Sequence, residues 1–226
     1  MKIIDELYMY RDDTYQAKLL KYFKTGIGEY GYGDQFYGLR MNQVREVAKK
    51  YKDIDLNTIE LLLSNKIHEV RNCALLIMVY QYQHTKDEKI VKLYLDNTKY
   101  INNWDLVDCS APNIIGNYVL ENDDELLYKL AKSNNMWERR IAIVATLTLI
   151  KHNKLDVTYK LCDILMRDDE DLIHKACGWM LREAGKVDKE GLFKYLDKHK
   201  KKMPRVMLRY AIEKFDKEER EYLMRK

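Results

Sequence analysis

The chain has 226 residues, 40 Lys and Arg against 36 Asp and Glu for a net charge of +4, and is 46% hydrophobic and 34% charged. Two prolines and nine glycines are too few turn-formers for a β-rich protein, so the composition points to an amphipathic, helix-rich chain long enough to bury a sizeable core. No uncharged run approaches the length of a membrane span, and MKIIDELYMYRDD (1–13) is too charged for a secretion signal, which makes the cytoplasm the expected address. The four cysteines (Cys73, Cys109, Cys162, Cys177) share no CxxC spacing and are read as buried free thiols.

In chain order, GIGEYGYGDQFYG (26–38) contains a literal GxGxxG at Gly26, Gly28 and Gly31. No strand pattern precedes it and no βαβ unit surrounds it, so it reads as a tyrosine-rich loop and not as a dinucleotide site. Beyond residue 40, ELLLSNK (60–66), EVRNCALLIMVYQYQ (69–83), EKIVKLYLDN (88–97), ELLYKLAKSNN (125–135), ERRIAIVATLTLIK (138–151), LCDILMRDD (161–169) and LIHKACGWMLREAG (172–185) have helical period. Short links rich in Asp, Asn and Lys suit helix caps, and ENDDELL (121–127) and LDVTYKL (155–161) place such residues just before an apolar row. The expected fold class is all-α, a single domain over residues 1–226. Scattered histidines with no cysteine at ligand spacing argue against a metal site, and no GxxxxGK[ST], HExxH or G-x-S-x-G is present. The clearest basic run is KHKKKMPR (198–205).

Aligning HEVRNCALLIMV (68–79), MWERRIAIVATL (136–147) and DLIHKACGWMLR (171–182) on Ala74, Ala142 and Ala176 exposes a repeat of about 34 residues, typical of stacked helix pairs. One step from Ala74 lands on Asp108, so INNWDLVDCSAPNIIG (101–116) carries a carboxylate at the phase its sisters fill with alanine. That acid is either paired and structural, or faces a cleft where it works, because an unpartnered buried acid is costly. Trp104 precedes it by one turn on the same face. Pro112, four residues on, cannot donate to the Asp108 carbonyl and should kink the helix there. Trp179, three past Ala176, rotates to about the same side as Trp104.

NNWDLVD (102–108), MWERRIAI (136–143) and KACGWMLREAGK (175–186), with FYGLRMNQVREVAKKY (36–51) ahead of them, resemble the bacterial AlkD-type DNA alkylation repair glycosylases. The resemblance implies a right-handed superhelical α-solenoid of HEAT-like helix-pair repeats with a concave DNA-binding face. It implies removal of cationic N3- and N7-alkylated purines from double-stranded DNA by hydrolysis of the N-glycosidic bond, without cofactor or metal and without insertion of the lesion into a pocket; nothing in the sequence demands an oligomer, so a monomer is expected. By motif, the catalytic acid falls on Asp108, the cleft aromatics on Trp104 and Trp179, and the DNA-contacting arginine on Arg140; Trp137 reads as core. Helical rotation instead turns Arg139 closer to the cleft side, so it stays the rival of Arg140. Lys175 and Arg182 are candidate phosphate contacts, as is the 198–205 run. A non-catalytic relative binding distorted or branched DNA, and a protein-interaction solenoid, are the alternative readings.

Overall fold

The computed structural model describes residues 1–225 and is all-α, with no strand among those residues and one isolated bridge between Gln35 and Ile67. It divides into two compact units, Met1–Ile114 and Ile115–Lys226. Among the described residues, no helix is long and apolar enough to cross a membrane.

The first unit holds α1 (Lys2–Met9), α2 (Asp13–Tyr22), α3 (Met41–Lys50), α4 (Leu56–Leu63), α5 (His68–Thr85), α6 (Glu88–Asp96), a 3₁₀ turn (Thr98–Tyr100) and α7 (Trp104–Ser110). Its axis is α5, against which α3, α4 and α7 pack. Every residue of α5 from His68 to Val79 is buried, so this helix is enclosed on all sides and its apolar residues form no single stripe. The links supply caps as the sequence suggests: Asp12 accepts from the Tyr15 amide, Asp55 from Thr58 and Asp87 from Lys89, at 2.9–3.0 Å. After α7, Pro112–Gly116 forms a π-helical turn through which the chain passes to the second unit. The helix thus widens where Pro112 withholds its amide, in place of a simple kink.

The loop between α2 and α3 is fastened to α5. Both Glu69 carboxylate oxygens receive backbone amides, from Tyr37 at 3.0 Å on one and from Gly38 and Leu39 at 2.9 and 3.0 Å on the other. Gly38 has φ of +86°, and a Cβ there would collide with the Asp12 carbonyl oxygen. We expect Gly38→Ala to lose at least about 1–3 kcal/mol of unfolding free energy from backbone strain alone. Urea unfolding measures it, and an unchanged midpoint would show that the loop can move away.

The second unit holds α8 (Asn117–Glu121), α9 (Glu125–Ala131), α10 (Met136–Lys151), α11 (Asp156–Leu165), α12 (Asp171–Val187), α13 (Lys189–His199), α14 (Arg205–Ala211) and α15 (Lys217–Met224). Here α10 and α12 form the spine: α9 and α11 pack on α10, and α13 and α14 on α12. Gly178 lets α14 approach closely, since a Cβ there would meet the Met207 carbonyl oxygen. The alanines that define the repeat, Ala74, Ala142 and Ala176, are all buried, so this phase is one of tight helix contact. Asp108 at the same phase is only half-buried. All four cysteines are free thiols; Cys109 is partly accessible and the other three are buried.

Candidate functional site

Helix α7 is short and held at its start. The buried Asn103 caps it, its side-chain oxygen accepting the Trp104 amide at 2.8 Å. The Trp104 indole N–H donates to the Tyr30 hydroxyl at 3.2 Å. Its ring lies edge-on to Tyr22 (5.6 Å between centroids) and tilted on Phe23 (5.3 Å), against the cluster of Leu19, Phe23 and Phe36. Asp108 follows one turn later on the same face, and both side chains are half-buried. Indole and carboxylate therefore stand side by side on one short helix.

Beneath α7 lies a charged network without a counterpart in the sequence reading. His68, at the first turn of α5, is buried between two carboxylates: Nδ1 lies 3.1 Å from Asp34 and Nε2 lies 2.8 Å from Asp105. Burial opposes a charged imidazolium, but the charge and hydrogen bond of Asp105, joined by the hydrogen bond to Asp34, outweigh it and push His68 up to about 9. Both ring nitrogens then donate. Asp34 also accepts from Arg71 Nη2 at 2.8 Å and Asn102 Nδ2 at 3.1 Å. Burial alone would raise its pKa; His68 and Arg71 together hold it below the usual carboxylate range. Arg71 continues to the carbonyls of Tyr100, Asn65 and Lys66. The network ties the loop, α5 and the start of α7 into one piece.

Above His68 opens a cavity of about 440 Å³. Tyr15, Tyr22, Phe23 and Phe36 contribute rings to its wall, and His68, Glu69, Asn72 and Asp105 contribute polar groups. Asp105 thus lines the cavity, whereas Asp108 does not. The only hint of this in the sequence is HEVRN (68–72), four polar residues that open a helix just ahead of the apolar run CALLIMV (73–79).

The second unit holds the remaining sequence candidates. Asn135 caps α10 by accepting the Trp137 amide at 2.9 Å, and Trp137 is buried. Arg139 grips Asp168 through Nε (2.6 Å) and Nη2 (3.1 Å) while Nη1 donates to the Ser133 carbonyl. Arg140 is buried, with Nη1 donating to the Leu172 carbonyl at 2.6 Å. On α12, Trp179 and Lys175 are half-buried, and Arg182 pairs with Glu213 and Glu183. In the basic run, Lys198, Lys201 and Lys202 are exposed, whereas Lys200 is bound to Asp197 at 2.8 Å. Among the described residues, no three His, Cys, Asp or Glu side chains gather as a metal site would require.

Solved structures share this fold, two of them as follows. One, described as a predicted DNA alkylation repair enzyme from Enterococcus faecalis, aligns over 92% of this chain and 97% of its own, with a TM-score of 0.76 at 20% identity. The other, smu.31 from Streptococcus mutans UA159, aligns over 90% of this chain and 98% of its own, with a TM-score of 0.59 at 20% identity. No curated protein matches the sequence. The model of the DNA alkylation repair enzyme family matches residues 3–215, nearly the whole length, and the chain belongs to that family.

Proposed function

We propose that the protein is a DNA glycosylase that hydrolyses the N-glycosidic bond of cationic N3- and N7-alkylated purines in duplex DNA. The observation that carries this reading is the pairing of Trp104 and Asp108 one turn apart on α7, within a member of a DNA alkylation repair family. An alkylated purine leaves as a neutral base, so it needs little acid assistance. Positive charge instead builds on the sugar, as in an oxocarbenium ion, and the fixed Asp108 carboxylate stabilises it and orients the attacking water. The Trp104 indole, seated by Tyr30 and Phe23, offers its π-face to the cationic base or sugar, a contact worth about 1–2 kcal/mol.

In this reading Trp179 is a further aromatic contact to the DNA and Arg140 the phosphate contact, with Lys175 and Arg182 adding positive charge along the backbone. Arg140 is preferred to Arg139 by the family motif alone; Arg139 is bound by Asp168 and two backbone carbonyls, and Arg140 is buried.

The test is single-turnover release of 7-methylguanine and 3-methyladenine from methylated duplex DNA by the whole chain, with single-exponential release expected and none of either base sinking the reading. Duplex affinity is expected to fall steeply as salt rises from 50 to 200 mM, because phosphate contacts release counterions, by about ten-fold for every two contacts. A salt-independent affinity in a fluorescence-anisotropy titration would favour a protein-interaction solenoid instead.

A further inference from the structure

The glycine- and tyrosine-rich segment after α2 has no part in the chemistry assigned to α7, yet its surface is unusual for this chain. Among the described residues, eleven large hydrophobic side chains are exposed, and three of them fall within residues 22–32. Ile27 is 92% exposed, Tyr32 64% and Tyr22 62%. Burying such side chains releases water, so apolar groups concentrated at one place mark a contact surface.

The segment is ordered by its own hydrogen bonds. Glu29 Oε2 accepts the Gly26 amide at 2.8 Å, the Gly31 amide donates to the Lys24 carbonyl at 3.0 Å, and the Tyr32 amide to the Glu29 carbonyl at 3.1 Å. Just beyond it, Asp34 is pinned by His68 and Arg71. A loop fixed in advance loses little conformational entropy when a partner covers it.

Charge and position identify the partner. From Thr14 to Gly33 the chain carries three cations, Lys18, Lys21 and Lys24, against one acid, Glu29, a net charge of +2. All three lysines are exposed, and Lys24 stands 3.9 Å from Glu29, a loose pair. The backbone of duplex DNA matches this mixture, with phosphates for the lysines and deoxyribose faces for the apolar groups. The Tyr30 hydroxyl, between Ile27 and Tyr32 in sequence, accepts the Trp104 indole N–H at 3.2 Å, and the exposed Tyr22 ring lies edge-on to Trp104. The surface is therefore continuous with the helix that carries Trp104 and Asp108.

We propose that the end of α2 and the loop after it (21–32) form a second DNA-contacting element, resting Ile27 and Tyr32 on deoxyriboses and Lys21 and Lys24 on phosphates. The contact is made from outside the base stack, so it adds hold on the duplex without drawing a base out of it. It rests on the reading of α7 as a helix that meets duplex DNA.

The test is fluorescence anisotropy of the intact protein on an undamaged duplex, repeated from 50 to 200 mM salt. Ile27→Ser with Tyr32→Ser is expected to weaken binding at least ten-fold at every salt concentration. The slope of log affinity against log salt should stay the same, because no phosphate contact is removed. Lys21→Gln with Lys24→Gln is expected to lower that slope by about two, one for each phosphate released. The apolar loss should be equal on two duplexes of different sequence, since sugars carry no sequence information. Both variants should melt with the wild type, because all four side chains are exposed. Wild-type affinity in the serine variant, or a loss that tracks a lowered melting temperature, overturns the proposal. A wild-type dimer in sedimentation that the serine variant abolishes, with DNA affinity intact, assigns the surface to a second copy instead. Base release by the wild type with unchanged affinity in both variants overturns the loop contact alone. Affinity lost in the variants without base release by the wild type overturns the glycosylase reading alone.

Discussion

Asp108→Asn is expected to slow single-turnover release of 7-methylguanine by about 10²–10³-fold, the usual effect of deleting one preorganised electrostatic stabiliser. The substitution keeps shape and removes charge, which isolates the proposed role. The neutral amide still fits the half-buried position on α7, one turn from Trp104. It gives the developing sugar cation no compensating charge, so the transition state loses more than the ground state does. Duplex affinity and unfolding midpoint should stay near those of the wild type. Trp104→Ala is a poorer probe, because that ring also packs on Phe23 and binds Tyr30, and its loss would disturb the aromatic cluster. Wild-type rates in Asp108→Asn would remove the carboxylate from the mechanism; loss of both rate and fold would make it structural.

The all-α architecture was legible because it is written in local periodicity. The apolar rows at 88–97, 125–135 and 138–151 became α6, α9 and α10, and Pro112 marked the place where the helix widens. Asp108 stood out because a carboxylate interrupted an alanine phase whose other members are all buried. The ion network escaped because its partners lie far apart in sequence. Asp34 came from a loop read only as tyrosine-rich, 34 residues before His68, and Asp105 lies 37 beyond it. Nothing in the spacing of HEVRN says which carboxylates its histidine and arginine will meet. The same holds for Arg139: helical rotation turned it toward the cleft side, whereas its partner Asp168, 29 residues on, holds it in the structure. Pairing over such distances is set by how helices stack, and periodicity fixes only which face each helix buries.

His68→Gln is expected to cost about 3–5 kcal/mol of unfolding free energy at pH 6–7 and to flatten the dependence of stability on pH. The first effect follows from removing one partner of a buried ion network, which leaves Asp34 and Asp105 facing an uncharged amide. The second follows from linkage. The folded protein holds the His68 proton to about pH 9, against an ordinary value of 6.5, so its contribution is fully present below pH 6.5 and is lost as pH rises toward 9. That span corresponds to about 3 kcal/mol, with the His68–Asp34 and His68–Asp105 pairs counted once. Urea unfolding of both proteins at pH 6, 7, 8 and 9 separates the outcomes. A wild type that weakens steadily over this range beside a variant that does not assigns the slope to His68; parallel slopes would place the proton elsewhere. Because Asp105 sits in the first turn of the helix that carries Trp104 and Asp108, the same deprotonation should loosen α7. Base release should therefore fall along the same alkaline limb in the wild type, and the variant should be slower at pH 7 without that limb.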